Sequence, residues 1–341
     1  MNCSLSGLRT GISSFLWHAW QWARAHAKAL ARVTWTAFAA IALAVIVYQI
    51  ARNWQEVRTY PWRLRLGNIL LGFGIYSISI VLTAVCWASI MHRVSGVRSL
   101  WGHVRLFCLT NLARRLPTPL PYIGARTEAY AVQGVARRIT LVAMTLEMTV
   151  TVVSAMMVAV FTLPFGPYSE VLTRFSPLTL LLLIAPVLLT IRPAWLFAII
   201  NFALARAKRP PLLIEVRTRD MLAWTGLFAA VWVNGGVLYY FLSTSIYPIP
   251  CDELLLMISI FAISGVAGWL GQILFFMPAL AMRQLVIAYL LSLCVPLPVA
   301  VAVALWTRLC VLVFELLWAV LSLSLPLPQP GERPSKVSNR S

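Results

Sequence analysis

Apolar runs alternate with short basic loops along the 341 residues, and the runs are long. They fall at about 33–50, 67–91, 140–163, 177–192, 221–243, 254–277, 281–295 and 299–325. A helix needs about 20 apolar residues to cross a hydrocarbon core of about 30 Å at about 1.5 Å per residue, and several of these runs reach that length. The pattern predicts an all-α polytopic bundle of about eight spans over residues 33–325. Residues 194–206, AWLFAIINFALAR, are apolar but too short to cross alone.

Ahead of the bundle, residues 1–32 are basic. Between Phe15 and Val33, Arg24, Lys28 and Arg32 recur at helical spacing, with Trp20, Ala23, Ala27 and Leu30 on another face. That is the pattern of an interfacial amphipathic helix, or of a basic extension of the first span. Residues 326–341 are polar and contain proline, the composition of a disordered tail. The first apolar span begins near Val33 and does not follow directly on a short basic start, so it is expected to be retained as an anchor.

Composition fits this pattern. Hydrophobic residues make up 60% of the chain and charged ones 11%, against about 25% charged in a soluble domain. The net charge of +18 resides mostly between apolar segments, where cations orient a membrane chain and meet anionic headgroups; no nucleic-acid-binding motif is present. Loops 92–105 and 206–220 are rich in Arg or Lys and 244–253 has none, so the basic loops and both termini are expected in the cytoplasm. Residues 51–66 run against this rule, placing Arg52, Arg58, Arg63 and Arg65 on the outer side.

One stretch breaks the alternation. LFCLTNLARR, residues 106–115, starts like a span, but Pro117, Pro119 and Pro121 follow and predict a half-helix. Broken backbone at membrane depth is tolerated where protein or trapped water satisfies it, so a re-entrant element lining a cavity is expected. Amides freed near Ile123 to Arg126, close approach at Gly124, and the cations Arg114, Arg115 and Arg126 would make that cavity positive. The second half has an echo in GWLGQILFFMPALAMRQLVIAY, residues 268–289, where Pro278 precedes Arg283 by the interval that separates Pro121 from Arg126. Each stretch is followed by a span with an acid, Glu147 or Glu315. Interrupted segments at corresponding places in two halves suggest an inverted repeat around a substrate path. Alternatively, 254–277 and 281–295 are ordinary spans joined at a proline turn.

Glu147, Arg283, Arg308 and Glu315 lie in apolar runs, where an ionised group costs about 2.5–3.5 kcal/mol, and are expected to face the bundle interior. Arg308 and Glu315, seven apart on one helix, share a face but are too distant to pair. One arrangement has Arg283 or Arg308 holding a lipid phosphate while Glu147 and Glu315 neutralise those arginines in its absence; the other has static interhelical salt bridges. Arg126 and Glu128 would make first contacts at the cytoplasmic mouth.

Other chemistry is sparse. The four histidines form no H-E-x-x-H array, the six cysteines form no C-x-x-C pair, and neither a phosphate loop nor a G-x-S-x-G elbow occurs. No metal, cofactor or catalytic residue is expected. Asp252 and Glu253 are the only adjacent acids, the best candidates for a transferase.

NLARRLP at 111–117, Gly124, Arg126, QGVARR at 133–138 and a span with Glu147, followed by SGVAGWLG at 264–271, Pro278, Arg283 and a last span with Arg308, resemble the lysylphosphatidylglycerol synthase transmembrane-region, or flippase-like, family. The resemblance covers about residues 35–325. It implies a polytopic protein of the bacterial inner membrane with two re-entrant regions, translocating an anionic lipid or lipid-linked glycan between leaflets, alone or beside a membrane or cytosolic partner enzyme. A membrane-embedded transferase using a polyprenyl-phosphate or phospholipid donor, and a noncatalytic membrane subunit, are the alternatives.

Overall fold

The computed structural model describes residues 63–97, 99–115, 120–162, 188, 192–206, 216–274 and 279–327. The basic N-terminal segment, the apolar run at 33–50, most of 177–192 and the tail from 328 lie outside the described residues.

Every regular element among the described residues is helical. In chain order the α-helices are α1 (Leu66–Ser95), α2 (Leu100–Asn111), α3 (Leu120–Val132), α4 (Arg137–Thr162), α5 (Pro193–Arg206), α6 (Thr218–Thr244), α7 (Leu254–Leu274), α8 (Ala279–Leu291) and α9 (Leu297–Ser322). Short 3₁₀ turns follow α2 (Leu112–Arg115) and precede α7 (Cys251–Glu253). Five helices are long and apolar enough to cross a membrane: α1, α4, α6, α9, and α7 with its preceding turn. The chain reads as a multi-pass membrane protein. The apolar run at 281–295 yields only the 13 residues of α8, short of a crossing.

Local signals set several ends. Gly96 stops α1 in the left-handed region at φ 78°, its amide donating to the His92 carbonyl, and Gly134 turns the chain after α3 at φ 80°. Pro296 caps α9, with Pro298 in its first turn, where a missing amide costs little.

Helices α1 and α6 form an antiparallel central pair. At one end the Arg65 amide donates to the Ser245 carbonyl and Asn68 to Thr244 Oγ1 (2.8 and 3.1 Å); at the other Arg93 meets Asp220 at 3.2 Å. Midway, Asn234 Nδ2 donates to the Ile75 carbonyl and to Ser79 Oγ at 2.8 and 2.6 Å. This pairing puts Arg65 at the same end of the bundle as the cation-free loop 244–253, so the exception to the charge rule persists there.

Around this pair the helix contacts repeat. α1 packs on α2 and α6 on α7; α2 on α3 and α7 on α8; α3 on α4 and α8 on α9; α1 on α4 and α6 on α9. Across the halves α4 touches α6 and α7, and α9 touches α1 and α2. Every substantial helix contact in residues 66–162 thus has a counterpart in residues 218–322. The counterparts α3 and α8 each have 13 residues, and α4 and α9 each have 26.

The two hairpins open to opposite ends. Val97 and Val135, flanking α2–α3, share a core cluster with Met221 and Trp224 at the start of α6. Ile249, Leu291 and Val299, from the start and close of α7–α8, share another with Tyr239 and Tyr240 near the end of α6. The halves are not identical: α2 has 12 residues, whereas α7 has 21.

Two aromatic-clamped arginines

In the first half, α3 carries Arg126 into the protein interior, where no part of it is exposed. Its guanidinium carbon lies 4.3 Å from the Trp87 ring of α1, 4.8 Å from Phe107 of α2 and 4.7 Å from Tyr122 of α3. Ring faces attract a cation, by up to about 2 kcal/mol when desolvated, but do not replace hydrogen-bond acceptors. Nη1 donates to Glu147 Oε2 of α4 at 2.6 Å and Nε reaches Thr110 Oγ1 at 3.4 Å; Nη2 has no acceptor among the described residues.

Behind this pair the Trp87 indole donates to the Tyr130 hydroxyl at 2.6 Å, and the same hydroxyl meets His103 Nδ1 at 2.6 Å. Tyr130 therefore partners one nitrogen of each of two buried rings from α1 and α2. Tyr130→Phe is expected to strand both, at about 1–3 kcal/mol for each unsatisfied group, visible as a lower unfolding temperature in detergent.

In the second half, α8 carries Arg283. Its guanidinium carbon lies 4.1 Å from Phe261 of α7 and 5.6 Å from Trp232 of α6, two rings that themselves meet edge to face at 5.6 Å. Glycines set those rings. A Cβ at Gly235 would fall 2.2 Å from the Phe261 ring, and one at Gly265 would fall 2.2 Å from the Trp232 ring, so each helix supplies the flat surface on which the other's ring lies. The Trp232 indole also donates to the Thr151 carbonyl of α4 at 3.0 Å, tying the clamp to the first half. Arg283 makes no ion pair among the described residues; its Nη2 is shielded from solvent with no acceptor, and the Tyr239 hydroxyl and Gln284 Oε1 are likewise buried without hydrogen bonds.

The remaining expected residues fall elsewhere. Glu128 is exposed and holds Arg137 through two hydrogen bonds of 2.8 and 2.9 Å, which keep its carboxyl below the ordinary range. Arg308 is half-buried on α9, and Glu315 is buried on the same helix and is not without a partner. Arg114 and Arg115 belong to the 3₁₀ turn after α2. Pro121 and Gly124 lie within α3, so the amides from Gly124 onward are used in the helix and do not form the expected open pocket; only the first turn keeps free donors. Pro117, Pro119 and Pro278 lie outside the described residues. Glu147 neutralises Arg126, not Arg283 or Arg308 as the sequence suggested. Asp252 and Glu253 start the turn before α7, and among the described residues no three metal-ligating side chains converge.

Of the five arginines expected at the site, Arg126 and Arg283 lie against rings; the rings themselves, Trp87, Phe107, Tyr122, Trp232 and Phe261, gave no signal in the sequence, because an aromatic in an apolar helix ordinarily signals packing alone. No protein-family model matches this chain, and no curated protein or solved structure matches it.

Proposed function

We propose that the protein binds the anionic headgroup of a membrane lipid or lipid-linked glycan and moves it between leaflets, as its resemblance to flippase-like proteins implies. The observation that carries this reading is the pair of short helices, α3 and α8, at corresponding places in two hairpins that open to opposite ends of the bundle, each bearing an arginine held between aromatic rings. In a bilayer these hairpins are re-entrant, one from each leaflet, and the axis relating the halves lies in the membrane plane.

The chemistry follows from the surroundings. Guanidinium groups recognise phosphate through charge-assisted hydrogen bonds, which strengthen where water is scarce, while acyl chains stay in hydrocarbon. Ring faces on the guanidinium fix its plane without neutralising it, so its N–H edge stays available to an oxyanion.

Reconstitution tests this. Vesicles of phosphatidylcholine with a fluorescent phosphatidylglycerol should show faster leaflet exchange with the wild-type protein. Arg283→Ala, and Arg126→Ala combined with Glu147→Leu, should each slow the protein-dependent rate at least about tenfold, the effect of losing a charged hydrogen bond. Unchanged exchange in both variants refutes translocation through these sites. Loss of a lipid product formed in detergent would indicate a transferase instead.

A further inference from the structure

The two clamps differ in one respect, and it separates their roles. In the first, the chain's own carboxylate occupies the arginine: Glu147, the eleventh residue of α4, accepts from Arg126 at 2.6 Å. Helix α9 is the counterpart of α4 in length and contacts, and its eleventh residue is Thr307, buried and neutral. The Tyr239 ring lies 6.4 Å from Phe261 of the clamp and shares a core cluster with Val303 and Ala304, one turn before Thr307, so the position that supplies an acid in one half supplies a hydroxyl on the helix packed against the clamp-bearing α8 of the other.

From this asymmetry we infer that Arg283, with Tyr239 and Thr307, is an oxyanion-binding site that accepts its counter-ion from outside the chain, and that Glu147 occupies the corresponding site of the first half as an internal substitute for that ligand. The inference rests on the lipid reading above only for the source of the anion.

Burial supports it. A guanidinium nitrogen sheltered from water and lacking an acceptor is costly to keep, and each of the two clamps keeps one. In the first half the neighbouring nitrogen is neutralised by Glu147; in the second, no described acid neutralises any of the three. Phe261 and Trp232 hold the group in one orientation, and Gly235 and Gly265 hold the rings, so the empty valence is preorganised for a ligand. The Glu147 contact shows the ligand class that fits: one oxygen anion, carboxylate or phosphate, meeting the guanidinium edge while the rings cover its faces. One such anion per chain completes the set.

The test moves the acid between halves. Wild-type protein in phosphatidylcholine nanodiscs containing a minority of phosphatidylglycerol should retain one phosphatidylglycerol per chain in native mass spectrometry. Thr307→Glu should supply the missing carboxylate and reduce retention about tenfold or more; Arg283→Gln should do the same without adding charge, so that one of the two reports even if the other fails to fold. Glu147→Thr should open the first clamp and raise retention to two.

In pure phosphatidylcholine discs, inorganic phosphate replaces the lipid as probe. Stabilisation by phosphate that disappears in Arg283→Gln, with no phosphatidylglycerol retained, would uphold the oxyanion site while removing its lipid source. Retention and exchange that are unaffected by Thr307→Glu and Arg283→Gln, yet lost when Arg126→Met is combined with Glu147→Leu, would overturn the inference and leave lipid handling intact.

Discussion

Arg126→Met, with Glu147 left in place, is expected to cost about 3–5 kcal/mol of stability, the usual penalty for stranding one member of a buried ion pair. The setting argues for the upper part of that range: Arg126 is wholly buried, Glu147 is 5% exposed, and the remaining neighbours of the guanidinium are three rings and one hydroxyl. The carboxylate would keep no cation at 4.0 Å or less among the described residues. Combining Arg126→Met with Glu147→Leu should restore most of the loss, because apolar replacement of a whole buried pair is often neutral. Thermal unfolding of the four proteins of this cycle in one detergent measures the coupling. Equal losses in the single and double variants would show that ring packing, not charge, holds this site.

The second large effect is expected at Gly236. A Cβ there would lie 2.4 Å from the Ile258 Cα of α7, a backbone atom that can yield only if α6 and α7 separate. Gly265→Ala meets the Trp232 ring instead, and the ring can move only by leaving Arg283. Overpacking of this kind costs about 1–3 kcal/mol, with Gly236→Ala the worse because backbone is stiffer than a side chain. Gly226, on the same helix, has open space around it, so Gly226→Ala should be neutral or stabilise by about 0.5–1 kcal/mol through helix propensity. Unfolding temperatures that rank Gly226→Ala above wild type and Gly236→Ala below Gly265→Ala support this packing. A Gly236→Ala protein as stable as wild type would mean that α6 and α7 do not cross so closely.

The long helices were legible because an apolar run of membrane length leaves little freedom. The runs at 67–91, 140–163, 221–243, 254–277 and 299–325 correspond to Leu66–Ser95, Arg137–Thr162, Thr218–Thr244, Leu254–Leu274 and Leu297–Ser322. The ends moved where helix chemistry, not apolarity, decides: α1 runs on past the polar His92 and Arg93 until Gly96 stops it, and the apolar residues of 292–295 fall in a turn before Pro296. The spacing shared by Pro121–Arg126 and Pro278–Arg283 pointed to the two arginine helices, although Pro121 proved to lie inside its helix.

Partnerships were not legible. Arg126 could face Glu147 or another acid as far as periodicity is concerned, since the choice depends on how α3 leans on α4. Thr307 carries no signal at all: a threonine in an apolar span is ordinary, and its meaning comes only from standing where the other half has an acid. The reciprocal seating of Phe261 on Gly235 and Trp232 on Gly265 is likewise a property of a helix crossing, invisible along either helix alone.

The bonds that join α1 to α6 at both ends and in the middle have a mechanical consequence. Two rods latched at three heights can neither slide nor splay without breaking polar contacts that hydrocarbon would not replace. They act as a fixed mast, so that under the proposed translocation the moving parts are the hairpins slung on either side of it.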